Sequence, residues 1–179
     1  MKNINKFIIL IFAFTVMFSS VLFAEWKVGI DGDVMFIANY DKKNESAIVI
    51  LIDTSIADDW FSAYNNYKIA AVVFHSNKIS EESSLYLDIK RKSNNNIKYH
   101  ITDEDILMGD ENYYVGIGVN SENGVRANNL IKILLDSVNA ELYNEDTDEL
   151  LGYFNLNGLD KTLKENLGDT EWYSRNIRK

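Results

Sequence analysis

Asp58 and Asp59 stand directly before Trp60, Phe61 and Tyr64, so two carboxylates and three rings share one short segment. Glycoside hydrolysis needs little more than that: two acids at a suitable separation to move protons, and rings for the sugar to stack on. The chain carries 27 acidic residues, however, and an Asp-Asp step beside an aromatic arises readily by chance in such a composition. A second reading keeps the rings and drops the chemistry. On an exposed loop, Trp60, Phe61 and Tyr64, with Asp58 and Asp59 beside them, form an amphipathic contact patch of the residue types that anchor interfaces. In a third, the rings simply pack onto the edge of the fold.

Other chemistries find less support. A nucleophile needs a base beside it, and only His75 and His100 are available. His75 ends a doubly apolar run, as a structural histidine at a strand end would. His100 shares a face with Lys98 and Thr102, which places it at the surface. No serine sits in a G-x-S-x-G elbow. Asp103, Asp105, Asp110 and Glu111 in one loop, and Asp146 and Asp148 in another, offer hard oxygen ligands of the kind calcium takes. Neither loop has the EF-hand spacing, so solvated turn acids are the expectation, with no metal and no cofactor. The Gly116-Ile117-Gly118 step lies inside an alternating run with no helix opening after it, so it is read as relief of crowding or a bulge and not as a dinucleotide site.

Composition narrows the classes further. The formal charge is −9, and no basic cluster larger than Lys90-Arg91-Lys92 offsets it, which disfavours nucleic acid and anionic lipid as partners. The first 24 residues have the layout of a secretory signal: Lys2 and Lys6, an unbroken apolar run, then small residues before a cut after Ala24. The alternative is an uncleaved anchor, whose apolar run of roughly 18 residues is near the lower limit for spanning. With no cysteine near the cut, lipid attachment there is excluded. The expectation is an exported protein, periplasmic or secreted. The chain has no cysteine at all, so no disulfide supports the fold, and thiolate catalysis and cysteine metal sites are excluded. Stability then rests on a core, and a chain near this length buries roughly 70% of its unfolded surface.

Alternation dominates residues 25–179. WKVGI and VMFIANY flank Asp31-Gly32-Asp33 as a hairpin, and AIVILID and YKIAAVVFH are apolar on both faces, as central strands of a covered sheet are. LYLDIKR and IKYHIT form a second hairpin, and YYVGIGVN follows the acidic loop. Leu130, Ile131, Leu134 and Leu135 fit one helical face, with Asn128 or Asn129 as N-cap. VNAELY should pair with LLGYFNL, where Gly152, Phe154 and Leu156 share a face. Beyond it, Leu159, Leu163 and Leu167 repeat along a second short helix, with Asn157 as N-cap, Asp160 returning the bond and Gly168 as the stop. That helix plugs one open end of the fold; its start lacks the glycines and free cation of a phosphate site. The tail, SRNIRK, reads as a frayed end. These features predict one mainly β domain: an antiparallel β-sandwich or flattened barrel of about nine strands with two short helices.

The order of features resembles the invasion-associated locus B family of exported bacterial β-sandwich proteins. The resemblance is carried by the N-terminal signal, the first strand led by Trp26, the run of antiparallel strands and the closing phrase FNLNGLDKTL. It covers Trp26 to Leu167 and implies an exported sandwich with accessory or host-surface roles and no established catalytic site. It assigns no active-site residue to any position. With the usual catalytic sets absent, the function expected is a noncatalytic binding or accessory domain acting on a protein or cell-envelope partner. The alternative is a small-ligand or carbohydrate protein, or a weak carboxylate hydrolase, with Asp58 and Asp59 at its mouth.

Overall fold

The computed structural model describes residues 26–178 except 111 and 122, so the proposed signal segment lies outside the described residues. The rest forms two antiparallel sheets, a sandwich and not a closed barrel. The larger has the order β1-β2-β3-β4-β8-β7 and the smaller β10-β9-β5-β6. In the larger sheet β1 is Lys27–Asp31, β2 Val34–Asp41, β3 Ser46–Asp53, β4 Ala70–Ser76, β7 Ile106–Met108 and β8 Tyr113–Ile117. In the smaller, β5 is Leu85–Arg91, β6 Ile97–His100, β9 Ser137–Asn144 and β10 Glu149–Asn155. The doubly apolar runs β3 and β4 occupy the centre of the larger sheet, as expected. Gly32, with φ +55°, makes the two-residue turn between β1 and β2.

The sheets face each other across one apolar layer. Ile48, Ile50, Val72 and Phe74 from one side meet Leu87, Ile89, Leu142 and Phe154 from the other. The Phe74 and Phe154 rings lie 5.8 Å apart. Gly152 permits this approach, since a Cβ there would come within 2.5 Å of Ser46 Oγ on the opposing sheet. Two helices, α3 (Val125–Leu135) and α4 (Leu159–Leu167), bury Leu130, Ile131 and Leu134 and the stripe Leu159, Leu163 and Leu167 in the same layer.

Several local expectations are corrected. Ten strands form among the described residues, because Ile106–Met108 in the acidic loop pairs along β8. The β3–β4 connection holds two more short helices, α1 (Thr54–Ala57) and α2 (Trp60–Tyr64), and Tyr67 precedes β4 instead of opening it. Neither proposed N-cap is used. Gly158, at φ +88°, precedes α4, and Asp160 binds Arg178 at 3.1 Å. Helix α3 starts after Gly124, with Asn123 Oδ1 accepting the Val125 N–H at 3.0 Å. Asn128 instead lies buried inside α3, where its Oδ1 accepts the indole N–H of fully buried Trp172 at 2.9 Å. The tail is not frayed through Arg178. Residues Tyr173–Ile177 form a π-turn whose Tyr173, Asn176 and Ile177 are buried. A chain end stays in place when its apolar side chains find the core, and here Ile177 does.

Asp105 is likewise no solvated acid. It is 2% exposed, accepts from the Thr102 hydroxyl at 2.8 Å, and holds the Arg126 guanidinium through two bonds of 2.8 and 2.7 Å. A bidentate bond to a buried carboxylate is among the stronger polar contacts, and removing one partner strands the other. Asp105→Asn should lower the unfolding free energy by about 2–3 kcal/mol, because Arg126 keeps partial access to water. Asp103→Asn, on the exposed side of the same turn, should change it by less than about 0.5 kcal/mol. Leu163→Ala, which empties the centre of the α4 stripe, should cost about 2–5 kcal/mol. Urea denaturation followed by circular dichroism reads all three; equal midpoints for the two aspartate variants would refute the ion-pair assignment.

Candidate functional site

Helix α2 is short, and side chains define both its ends. Asp59 is the N-cap: its carboxylate accepts the Ser62 N–H at 2.8 Å and the Ser62 hydroxyl at 2.6 Å. Asn65 Nδ2 donates back to the Phe61 carbonyl at 2.8 Å, and Asn66 turns the chain with φ +53°. From the far end of the sequence, Asn176 Nδ2 donates to the Ala63 carbonyl at 3.1 Å and to Asn66 Oδ1 at 2.8 Å. Ser62 and Ala63 are buried, so this helix is tied down along one side.

Its other side carries the rings. Trp60, Phe61 and Tyr64 are 49%, 56% and 62% exposed, so they form the surface patch and do not pack onto the sandwich edge. Trp60 and Tyr64, one helical turn apart, stack at 5.0 Å with their planes 10° apart. Tyr67 meets Phe61 edge to face at 5.9 Å, and the Arg175 guanidinium lies 5.4 Å from the Trp60 ring centre. Glu171 accepts from Arg175 Nε at 2.6 Å and steadies it there. The sequence reading missed Tyr67, which it placed in a strand, and Arg175 and Asn176, which it placed in a loose tail. Only the fold brings those three to α2.

The two acids have separate engagements. Asp59 is occupied as a cap, and the Ser62 hydroxyl, then the Ser62 amide, hold its carboxyl below the ordinary aspartate range. A carboxyl so held is ionised at neutral pH and has no proton to give. Asp58 is exposed and caps the C-terminal end of α1. Neither acid lines the cleft of about 570 Å³ at this end of the larger sheet; Asp31, Asp33, Asp53 and Lys68 do, over Leu51 and Ala71. Lys68 Nζ donates to the Val119 carbonyl at 2.6 Å, and Asp53 caps α1 through the Ser55 N–H at 3.0 Å.

The remaining candidates have other surroundings. His75 is half-buried, opposite Ala47 and Tyr114, and burial lowers its pKa, which keeps the imidazole neutral. His100 is exposed on β6, its Nδ1 3.8 Å from Glu145. In the second acidic loop, Glu145 binds Lys98 at 2.8 Å and Glu149 binds Lys78 at 2.5 Å. Among the described residues, no three acidic or histidine side chains converge as a metal site. Gly116 and Gly118 relieve crowding: a Cβ would come within 2.8 Å of Leu107 and Val119 at the first, and of Ala127 at the second.

The Asp59 cap has a pH signature. Because its folded pKa is depressed, the stability it contributes is present above the ordinary aspartate value near 4 and is lost as pH falls below it. The Ser62 amide resonance should therefore titrate below the usual aspartate range, and Asp59→Asn should abolish that step. An ordinary midpoint at Ser62 would exclude the cap as described.

No protein-family model matches the chain, and no curated protein or solved structure compared with it gives a match.

Proposed function

We propose that this chain is an exported, noncatalytic binding domain that meets a protein or cell-envelope partner through the aromatic surface of α2. The observation that carries the reading is four large rings, Trp60, Phe61, Tyr64 and Tyr67, held exposed on a backbone fixed by Asp59 and Asn176. Exposed aromatics clustered on a preordered helix lose little conformational freedom on association, which is what makes Trp and Tyr effective anchors. Arg175 beside Trp60 adds a cation at the margin of the patch. The net charge of −9 directs the domain away from anionic lipid and nucleic acid and toward a protein or neutral envelope component.

Binding of a small ligand is the second reading, and it is supported by the cleft beside α1, not by Asp58 and Asp59. Its apolar walls and three carboxylates suit a cationic or hydroxyl-rich molecule better than an anion.

In-cell crosslinking of the tagged protein, followed by mass spectrometry, separates the two. Trp60→Ala should reduce recovery of a specific partner by about tenfold or more, the loss of one central anchor. Asn176→Ala should weaken capture while leaving every ring in place. Asp58→Asn should leave it unchanged. Undiminished capture by Trp60→Ala would rule out the α2 surface as the contact.

A further inference from the structure

Among the described residues the two sheets end in four edge strands, β1, β7, β6 and β10. Three of them carry devices that discourage further pairing. On β10 the Tyr153 N–H donates to the Asp41 carboxylate at 2.8 Å, so a side chain of the larger sheet occupies that edge. β6 is four residues long and carries Lys98 and His100, both exposed. β7 has only three residues. Side-chain caps, charges within the strand and short length are how sheet edges are kept apart. β1 uses none of these. Its five residues run in unbroken register with β2, and its charges stand only at its two ends, Lys27 and Asp31.

The turn geometry decides which backbone groups face that edge. The two-residue turn at Gly32 closes on the hydrogen-bonded pair Asp31 and Val34, so Lys27, Gly29 and Asp31 direct their N–H and C=O groups to β2. Val28 and Ile30 direct theirs outward. Their side chains are uncovered as well. They stand opposite Ile37 and Met35, whose side chains enter the core between the sheets. β10, the near strand of the smaller sheet, lies over β2 and β3. β1 therefore overhangs, and Val28 and Ile30 are 36% and 64% exposed on the side that faces the core elsewhere. Trp26, buried immediately before the strand, fixes its start.

We infer that β1 is a self-pairing edge whose occupant is β1 of a second copy of this chain, antiparallel and centred on Gly29. The sequence Lys-Val-Gly-Ile-Asp is its own complement when reversed. Lys27 then faces Asp31 of the second copy, Val28 faces Ile30, and Gly29 faces Gly29, all related by one two-fold axis. The Val28 and Ile30 pairs are those that exchange backbone hydrogen bonds, because their N–H and C=O groups face outward. Opposite charges directly across a strand pair are stabilising, and like charges there repel. These charge pairs add to whatever Lys27 touches in its own chain. A slip that keeps the hydrogen bonds sets Lys27 or Asp31 against Gly29 instead, so the charges select the register. The result is one continuous sheet through two sandwiches, in which Val28 and Ile30 of both copies cover one another. An interface of one short strand is small, so the association is weak and reversible. This pairing does not depend on what α2 binds.

Sedimentation velocity of the purified protein, from about 10 μM to about 1 mM, should show a dimer whose fraction rises with concentration. Val28→Pro removes an N–H that faces only the open edge, where proline is tolerated, and should weaken association about tenfold or more. Asp31→Lys sets like charges opposite each other and should also weaken it, and adding Lys27→Asp to that variant should restore it. Circular dichroism of each variant separates loss of pairing from loss of fold; should Val28→Pro not fold, the charge exchange carries the test. The chain has no cysteine, so the register can be read directly. A mixture of Lys27→Cys and Asp31→Cys chains should oxidise to the mixed disulfide about tenfold or more faster than either variant pairs with itself, since only the mixed pair is within bonding distance. A protein that stays monomeric over this range overturns the inference. So does a dimer that survives both single variants, which assigns it to another surface, or one that the charge exchange fails to restore.

Discussion

The apolar layer between the two sheets is the constraint from which the remaining structure follows. With no disulfide, burial of Ile48, Val72, Phe74, Leu87, Leu142 and Phe154 against one another is what makes the chain compact. Two sheets alone leave that layer open at its margins. Helices α3 and α4 and the C-terminal turn close it, and Trp172 shows how tightly: its indole is wholly buried, and its only polar atom is matched to Asn128. A buried indole N–H without an acceptor would be costly, so this one bond commits the end of the chain to the core.

That commitment is what makes α2 a defined surface. The same C-terminal turn that delivers Trp172 also delivers Asn176 to the α2 backbone and Arg175 to the Trp60 ring. The patch is therefore built from two segments more than a hundred residues apart, and its rigidity comes from the core and not from its own helix. Five residues of helix are too few to be stable alone. The rings stay exposed because the two residues between Phe61 and Tyr64, Ser62 and Ala63, are the ones used for anchoring.

The two outer faces show how a sandwich can assign different tasks to the backs of its sheets. The smaller sheet faces outward with cross-strand pairs that are content in water, Tyr143 among them, its hydroxyl pushed up to about 12 by the bond to Glu141. The larger sheet repeats its inner hydrophobicity on its outer side, which costs solubility unless something lies over it.

Much of this was legible in the sequence, for a physical reason. Alternation with period two located the strands, and β3 and β4 announced their central position by lacking any polar face. The Leu159, Leu163 and Leu167 stripe and the absence of cysteine were equally direct. Local composition also marked Asp58 to Tyr64 as a segment of interest. What it could not determine was which way those side chains turn. Clamping by Asn176, the seat of Asn128 under Trp172 and the bidentate hold of Asp105 on Arg126 all join residues that only folding brings together. Periodicity reports burial one residue at a time, whereas a polar partner is chosen across the fold. The sequence alone therefore determined the sheets and the inward-facing residues, and tertiary structure decided which acids are bonded and which rings meet the solvent.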